Sequence, residues 1–442
     1  MYYIRTYLPE KLNLEEHVML FPPIKINNFH IDNLKYILGL ITKISTRSDH
    51  FDTHTGMVPL NAEILRKKIR NYKQYLDYAL STGILETDNH YIPGKKSKGY
   101  KFSDEYYDKV KSVPIVNYSL MKKNKQEIPY DPVVQAKYPY LSKWFNDNLE
   151  IDHTGAVEFI ESNYSGDENI YKYNQNLCRI DMLKDHQYYM SVGEKSQRFY
   201  TNISGCNKGL RKFIKYAGEE LVAVDIRNSQ PFMSLILFKP DFYNTNSTSS
   251  SFSLYSIYSN PLLYPSTHYY PSLMLYKLLE SSNNNDVKLY TELVTNGDLY
   301  DYLEKEIKNE LGIEYQTIGD LKDEFFKVLY STNYLINQPY AATKRLFRDR
   351  FPTVYKIFKE IKRGNHSQLP ILLQQIESFI VLDKVCRRIS IERPYLPIYT
   401  IHDSIVTTTV NEEYVAVILR EELILHIGHK PKLKIEYWKQ NT

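Results

Sequence analysis

The stretch that most constrains this chain is LVAVDIRNSQPFMSLILF, residues 221–238. Leu221, Val222, Ala223 and Val224 make a compact apolar run of strand length, and Phe232, Met233, Leu235, Ile236 and Phe238 suit a buried helix that follows. Between them stands Asp225, a carboxylate delivered to the mouth of a strand, rigidly held and open to a substrate.

Its natural partner lies downstream in LPIYTIHDSIVTTTV, a β-branched and aromatic run that predicts a hairpin carrying His402 and Asp403, with Ser404 opening the second strand. Two strands that each present one Asp can set the carboxylates side by side. Such neighbours repel, so the pairing makes chemical sense when divalent cations neutralise it. Two Mg2+ ions, with Mn2+ an acceptable substitute, can stabilise both the attacking and the leaving oxygen of a phosphoryl transfer. Asp225 and Asp403 are therefore the candidate metal ligands.

The order of the remaining signals resembles that of family-A DNA polymerases and the related phage-type single-subunit RNA polymerases, over roughly residues 190–440. DIRNSQPF is similar to the family's motif A and IHDS to its motif C. GEKSQRFYTNISGCNKGLRKF resembles the segment whose Arg touches the primer-template minor groove, which makes Arg198 the matching position. NGDLYDYL resembles the acid-containing start of the fingers, at Asp298, and DEFFKVLYSTNY the fingers helix whose Lys meets the triphosphate, at Lys327. FRDRFPTVYKIFKEIK followed by LLQQIESFIVLDKVCRRI is similar to the return from fingers to palm, with Gln374, or Gln375 as the alternative, near the nascent pair. The resemblance implies an α+β fold with a right-hand polymerase-like palm and fingers. It also implies Arg198, His402 and Gln374 as primer and template contacts, and Gln230, Tyr334, Lys322 and Asp298 as the nucleotide pocket. Catalysis would fall to Asp225, Asp403 and Lys327.

The chain departs from the family at informative places. Ser404 follows the motif C Asp, as in phage-type RNA polymerases, where DNA polymerases carry Glu. Gln230 stands five residues after Asp225, where DNA polymerases hold Glu against the ribose 2'-hydroxyl and RNA polymerases hold Gly; its bulk favours dNTP. Tyr334 falls one residue short of the family's Tyr spacing after Lys327, and Lys322 sits near the usual Arg position without matching it.

Residues 1–110 are expected to form a nucleic-acid-binding domain that resembles a winged helix. IDNLKYILGLITKI and AEILRKKIRNYKQYLDYALSTGIL have helical apolar spacing, and ETDNHYIPGKKSKGYKFSDEY reads as strand, Gly and Lys turn, strand. Lys95, Lys96, Lys98 and Lys101 on the hairpin, with Arg66, Lys67, Lys68, Arg70 and Lys73 on the preceding helices, are placed to neutralise phosphates. Residues 111–190 read as a Pro-containing connector and a reduced thumb-like helical region. Residues 191–442 form the palm and fingers, interrupted at about 240–285 by a Ser, Asn and Tyr-rich low-complexity insertion.

At 442 residues the chain is long enough for two or three domains, and its 43% hydrophobic and 24% charged residues exclude a disordered protein. A formal net charge of +4 means that nucleic-acid affinity must come from local basic surfaces. The three cysteines, Cys178, Cys206 and Cys386, give neither a disulfide framework nor a zinc spacing, which points to a reducing cytoplasm. With no basic-then-apolar leader pattern and no apolar run of about 18 residues, neither secretion nor membrane spanning is expected. The expected function is that of a template-directed nucleotidyltransferase, a small DNA polymerase acting in replication on a DNA template and primer with nucleoside triphosphates. The rivals are a single-subunit RNA polymerase or primase, and a non-catalytic winged-helix replication initiator or regulator.

Overall fold

The computed structural model describes residues 4–47, 56–94, 96–125, 132–243, 253–254, 285–315, 317–334 and 336–439. They divide into two compact units, residues 1–131, 150–189 and 205–214 against 132–149, 190–204 and 215–442. The chain crosses between units five times, the first crossing after residue 131 and one of the others between residues 189 and 190.

The first unit begins with β1 (Ile4–Pro9), α1 (Leu14–Leu20) and α2 (Ile31–Arg47). It continues with β2 (Val58–Pro59), the helix pair α3 (Ala62–Lys68) and α4 (Tyr72–Ser81), and the hairpin β3 (Leu85–Thr87) and β4 (Gly99–Phe102). Leu34, Ile37, Leu38 and Ile41 repeat at helical spacing on α2 and share one core with Leu65, Tyr75, Leu76 and Leu85. Asn61 starts α3 by accepting from the Glu63 and Ile64 N–H groups. β4 is the centre of an antiparallel sheet of order β2-β4-β3.

The connector expected after residue 110 is instead a strand at its beginning. β5 (Val110–Ile115) pairs antiparallel with all of β1, from Ile4 opposite Ile115 to Pro9 opposite Val110. Val110 and Ile115 are buried, and an edge in a two-stranded sheet tolerates Pro114 because alternate N–H groups there have no ladder partner. α5 (Tyr118–Lys125), α6 (Pro132–Lys137), α7 (Pro139–Ser142) and β6 (Leu149–Ile151) follow. α8 (His153–Tyr164) and α9 (Ile170–Lys184) are joined by His153 Nε2 at 2.6 Å from Asp181 Oδ1, and β1 is tied to the end of α9 by an Arg5–Asp185 ion pair at 2.6 Å.

In the second unit, β7 (Met190–Val192) and β8 (Phe199–Thr201) form a hairpin, and β9 (Ile214–Tyr216) turns into β10 (Glu219–Ile226). Then come α10 (Ser229–Ser234), α11 (Asn285–Asn296), α12 (Leu299–Leu311), α13 (Ile318–Tyr330), α14 (Ala342–Arg350), α15 (Pro352–Ile361) and α16 (Gln368–Ser378). The last continues through π-helical turns at Phe379–Cys386 into α17 (Arg387–Glu392). The chain closes with β11 (Tyr399–Ile401), β12 (Ser404–Thr408), α18 (Glu412–Ile427) and β13 (Leu433–Tyr437). β10 lies between β12 and β13, antiparallel to both, and β11 flanks β12. This explains why residues 221–224 are a continuous apolar run: with neighbours on both edges and α18 packed on the sheet, all four side chains are buried. The helices α11, α14 and α15 share an aromatic core of Tyr290, Phe347, Phe351 and Phe358. The low-complexity insertion lies mostly outside the described residues.

Candidate active site

Strand register brings the two Asp-bearing segments together. β10 and β12 pair from Leu221 opposite Thr408 to Val224 opposite Ile405, so Asp225 emerges beside Ser404, whose hydroxyl donates to Asp225 Oδ1. On β11 and β12, Ile401 faces Ser404, leaving His402 and Asp403 as a two-residue turn. The hairpin expected in LPIYTIHDSIVTTTV is present, and Asp225 is close enough to Asp403 for its charge to act on it.

The backbone is strained at each of these carriers. His402 has φ 55°, in a turn position that ordinarily favours glycine, at a cost of about 1–2 kcal/mol for a residue with a Cβ. Asn228, three residues after Asp225, has φ 57°, and Gln197, immediately before Arg198, has φ 58°. Left-handed non-glycine residues of this kind persist where surrounding structure over-determines them, and they concentrate at functional sites.

The centre of the cluster is a residue that the sequence reading did not single out, Glu377 on α16, with a side chain only 1% exposed. Its Oε1 accepts from Arg198 Nε and Nη2, both at 2.8 Å, and its Oε2 from Gln230 Nε2 at 2.7 Å and Ser229 Oγ at 3.2 Å. Burial pushes the Glu377 carboxyl upward in pKa, opposed by the Arg198 charge and these hydrogen bonds. Burial likewise works against the Arg198 charge, but Glu377 more than compensates. Asp403 keeps some solvent contact, yet surrounding protein desolvates it and the negative charges of Glu377 and Asp225 repel its own, so its pKa is pushed up to about 8. Arg198 thus acts on two of the carboxylates, Glu377 and Asp403.

The other expected site residues divide. His402 packs edge-on to Tyr200 of β8, with ring centroids 6.0 Å apart, which keeps it beside the strand that Arg198 immediately precedes. Lys327 is exposed on α13 and is ion-paired with Glu324 one turn earlier. Lys322 lies over the Tyr300 ring at 5.6 Å, and Asp298 is exposed at the start of α12 beside His429, Lys430 and Lys432. The structure does not bring Tyr334 to the cluster, its side chain being 86% exposed. The tyrosine of that region within electrostatic reach of Arg198 and Glu377 is Tyr330, the last residue of α13. Gln374 is half-buried; Gln375 is fully buried and donates to the Lys195 carbonyl at 2.9 Å, while Glu377 makes the contacts with Arg198 and Gln230. The signal for Glu377 was present: an acid inside LLQQIESFIVL, one turn from Leu373 and Ile380, must find a buried partner or leave the helix face.

The basic residues of the first unit also divide. Lys96 reaches Asp88 at 3.0 Å, Lys98 donates to the Asn89 side-chain Oδ1 at 2.6 Å, and Lys101 bridges Glu86 and Asp104. Lys95 lies outside the described residues. Asp88 organises this hairpin: the His90 N–H, then the Gly99 N–H and Lys96, hold its carboxyl down to about 2. Lys68 is buried, with its ammonium on the Lys123 carbonyl. Arg66, Lys67, Arg70 and Lys73 are exposed along α3 and the start of α4.

Among the described residues no group of three or more His, Cys, Asp and Glu side chains is arranged to hold a metal ion, and no helix is long and apolar enough to cross a membrane. No protein-family profile and no curated protein sequence matches the chain. Among solved structures, it is similar to the POL domain of Pol1 from M. smegmatis in complex with DNA primer-template and dNTP, with a TM-score of 0.39 and 11% sequence identity. That similarity covers 64% of this chain and 56% of the mycobacterial one, so the chain spans little more than half of the length it is compared with.

Proposed function

We propose that the second unit is a template-directed nucleotidyltransferase, extending a DNA primer with deoxynucleoside triphosphates, and that the first unit adds DNA affinity. The observation that carries this reading is the convergence of Asp225 and Asp403 at the paired ends of β10 and β12, in a cluster with more carboxylates than cations. A scaffold gains nothing from such repulsion, whereas a phosphoryl-transfer site needs it to be relieved by bound cations.

The donor set fits Mg2+, a hard cation that takes carboxylate oxygens, and Asp225 and Asp403 would hold it. Glu377 is not part of that set, because both of its oxygens are already filled by Arg198, Ser229 and Gln230. When bound, the cations supply charge stabilisation for the attacking and leaving oxygens. In the reaction, a primer 3'-hydroxyl oxygen forms a bond to the α-phosphorus, the bond to the pyrophosphate leaving group breaks, and the hydroxyl proton is released. Arg198, held at the cluster by Glu377, supports the reading as a cation beside the primer end. Lys327, at the exposed face of α13, is the point charge available to a triphosphate that enters from solvent. The exposed cations of α3 and α4 support DNA binding through phosphates, without base reading.

The test is incorporation on primed and unprimed templates with dNTPs or rNTPs separately, with Mg2+ and with a chelator. Chelator-sensitive extension of the primer with dNTPs is the expected result. Extension only with rNTPs would move the reading to an RNA polymerase or primase, and no incorporation under any condition would leave a DNA-binding protein with a non-catalytic fold.

A further inference from the structure

We infer that the tip of the β3–β4 hairpin is an apolar wedge that stacks into nucleic acid where duplex meets single strand, with the hairpin lysines serving as its brace. This rests on the reading that the first unit binds DNA, and is independent of the catalytic reading of the second.

Between Thr87 and Gly99 the hairpin carries a second, smaller turn, in which Ile92 and Lys96 exchange both backbone hydrogen bonds, at 3.0 and 2.9 Å. Gly94 lies within it at φ 69°, a left-handed backbone that suits glycine. The polar side chains of the stem hold this tip in place. Asp88 accepts from the His90 N–H at 3.0 Å, the Gly99 N–H at 2.8 Å and Lys96 at 3.0 Å. Lys98 donates to Asn89 at 2.6 Å, and Thr87 to the Gly99 carbonyl at 2.8 Å. What the brace presents is apolar. Tyr91 is 58% exposed and Ile92 39%, with Pro93 exposed beside them. Among the described residues Tyr91 has no hydrogen-bond or ring partner. An unbraced apolar tip would fold back onto the unit; here that movement would break the bonds of the stem.

The occupant follows from what shares this body. Leu65 of α3, Tyr75 and Leu76 of α4, Leu85 of β3 and Tyr100 of β4 lie in one core, so the tip is carried rigidly with the exposed cations of α3 and α4. Those cations select a polyanion. Nucleic acid is a polyanion that also offers flat apolar faces: apolar side chains wedge between base steps, and aromatic rings stack on unpaired bases. Opening a stack costs least next to bases that are already unpaired, which suits the tip to the duplex end at a junction.

The test uses the full chain and a primer-template with 2-aminopurine, whose emission rises on unstacking, at the last base pair of the duplex. Parent protein should raise the emission. Tyr91→Ser combined with Ile92→Ser should lose most of that rise, whereas a rise caused by the second unit would survive in it. The same variant should bind about tenfold more weakly, by one factor across a salt series, because stacking releases no counterions. Arg66→Ala combined with Arg70→Ala should do the reverse, keeping the rise at saturation and flattening the salt slope. An equal rise in the tip variant, or a tip effect that grows as salt falls, would overturn the inference. So would tip-dependent binding to phosphatidylserine vesicles with DNA binding unchanged, which would make the wedge a lipid contact. If the double tip variant fails to fold, Tyr91→Ser alone reads the same two quantities. A parent that binds no DNA would sink the DNA-binding reading and the inference with it, whereas binding without a rise sinks the inference alone.

Discussion

The carboxylate cluster of the second unit and the basic hairpin of the first both concentrate charge, but they treat it in opposite ways. On the hairpin every described lysine is engaged: Lys96 and Lys101 are ion-paired, with Asp88 and with Glu86 and Asp104, and Lys98 donates to the Asn89 side-chain amide. In the cluster, Asp403 and Glu377 share Arg198, and burial with the charges of Glu377 and Asp225 leaves Asp403 uncompensated enough for its pKa to rise to about 8. The hairpin charges are consistent with holding a turn together, whereas the cluster charges destabilise their own surroundings and call for an external partner. Charge density read along a sequence does not distinguish these cases; the local balance of partners does.

The strongest way to break the comparison is to neutralise the cluster. Asp225→Asn or Asp403→Asn should lower incorporation by on the order of a thousandfold while leaving circular dichroism and DNA retention close to those of the parent. Asp403→Asn should also remove repulsion, so it should unfold at a temperature no lower than the parent without divalent cations. Near-parental incorporation by either variant would show that the excess charge has another purpose.

A second pair of like charges sharpens the comparison. Lys344 and Lys362 are each 2% exposed, and both ammoniums lie on carbonyls at the end of α13, Lys344 on Thr332 at 2.7 Å and Lys362 on Val328 at 2.6 Å. Burial first, and then Lys344, push the Lys362 pKa down to about 7, and burial lowers that of Lys344 as well. An unfolded lysine titrates near 10.4, so between about pH 7 and pH 10 the unfolded chain binds a proton that the folded chain does not. Stability from this group is therefore complete above about pH 10 and is lost as pH falls toward about 7. Lys362→Met lacks that dependence. Relative to the parent, its melting temperature should be highest at or below neutral pH, and the difference should shrink as pH rises toward about 10. A constant offset across that range would mean that the ammonium is fully matched by carbonyls.

Much of this was legible in the residues and some was not, for reasons particular to each. Asp225 and Asp403 stood out in the sequence because each marks the place where an apolar run breaks, a pattern that depends only on neighbours in sequence. Glu377 was missed because its meaning depends on Arg198 and Gln230, 179 and 147 positions away. Gln374 and Tyr334 were chosen by family spacing, and the π-helical turns after Ser378 and the end of α13 at Tyr330 show how far local backbone can shift what such spacing implies. The strand at Val110–Ile115 was hidden by Pro114, whose effect as a breaker vanishes at a sheet edge. The strained residues Gln197, Asn228 and His402 carried no sequence signal, since nothing in their types demands a left-handed backbone.

The smallest effect concerns the first unit, where the comparison predicts that exposure rather than mere abundance of charge decides DNA affinity. Lys96, Lys98 and Lys101 are already engaged, so a phosphate must displace Asp88, Asn89, Glu86 or Asp104 to use them, and part of any gain is offset by the bond that breaks. Arg66, Lys67, Arg70 and Lys73 are exposed on α3 and α4 and meet a phosphate at no such cost. Each true phosphate contact contributes about 0.9 to the slope of log affinity against log salt on duplex DNA. Replacing Arg66, Lys67 and Arg70 by Ala should therefore reduce that slope by roughly two to three, while replacing Lys96 and Lys98 should change it by less than about one. Fluorescence anisotropy of a labelled primer-template across a salt series measures both. A larger change from the hairpin pair than from the helix set would mean that its internal ion pairs open on DNA, and that the hairpin belongs with the carboxylate cluster as a place where charges wait for a partner.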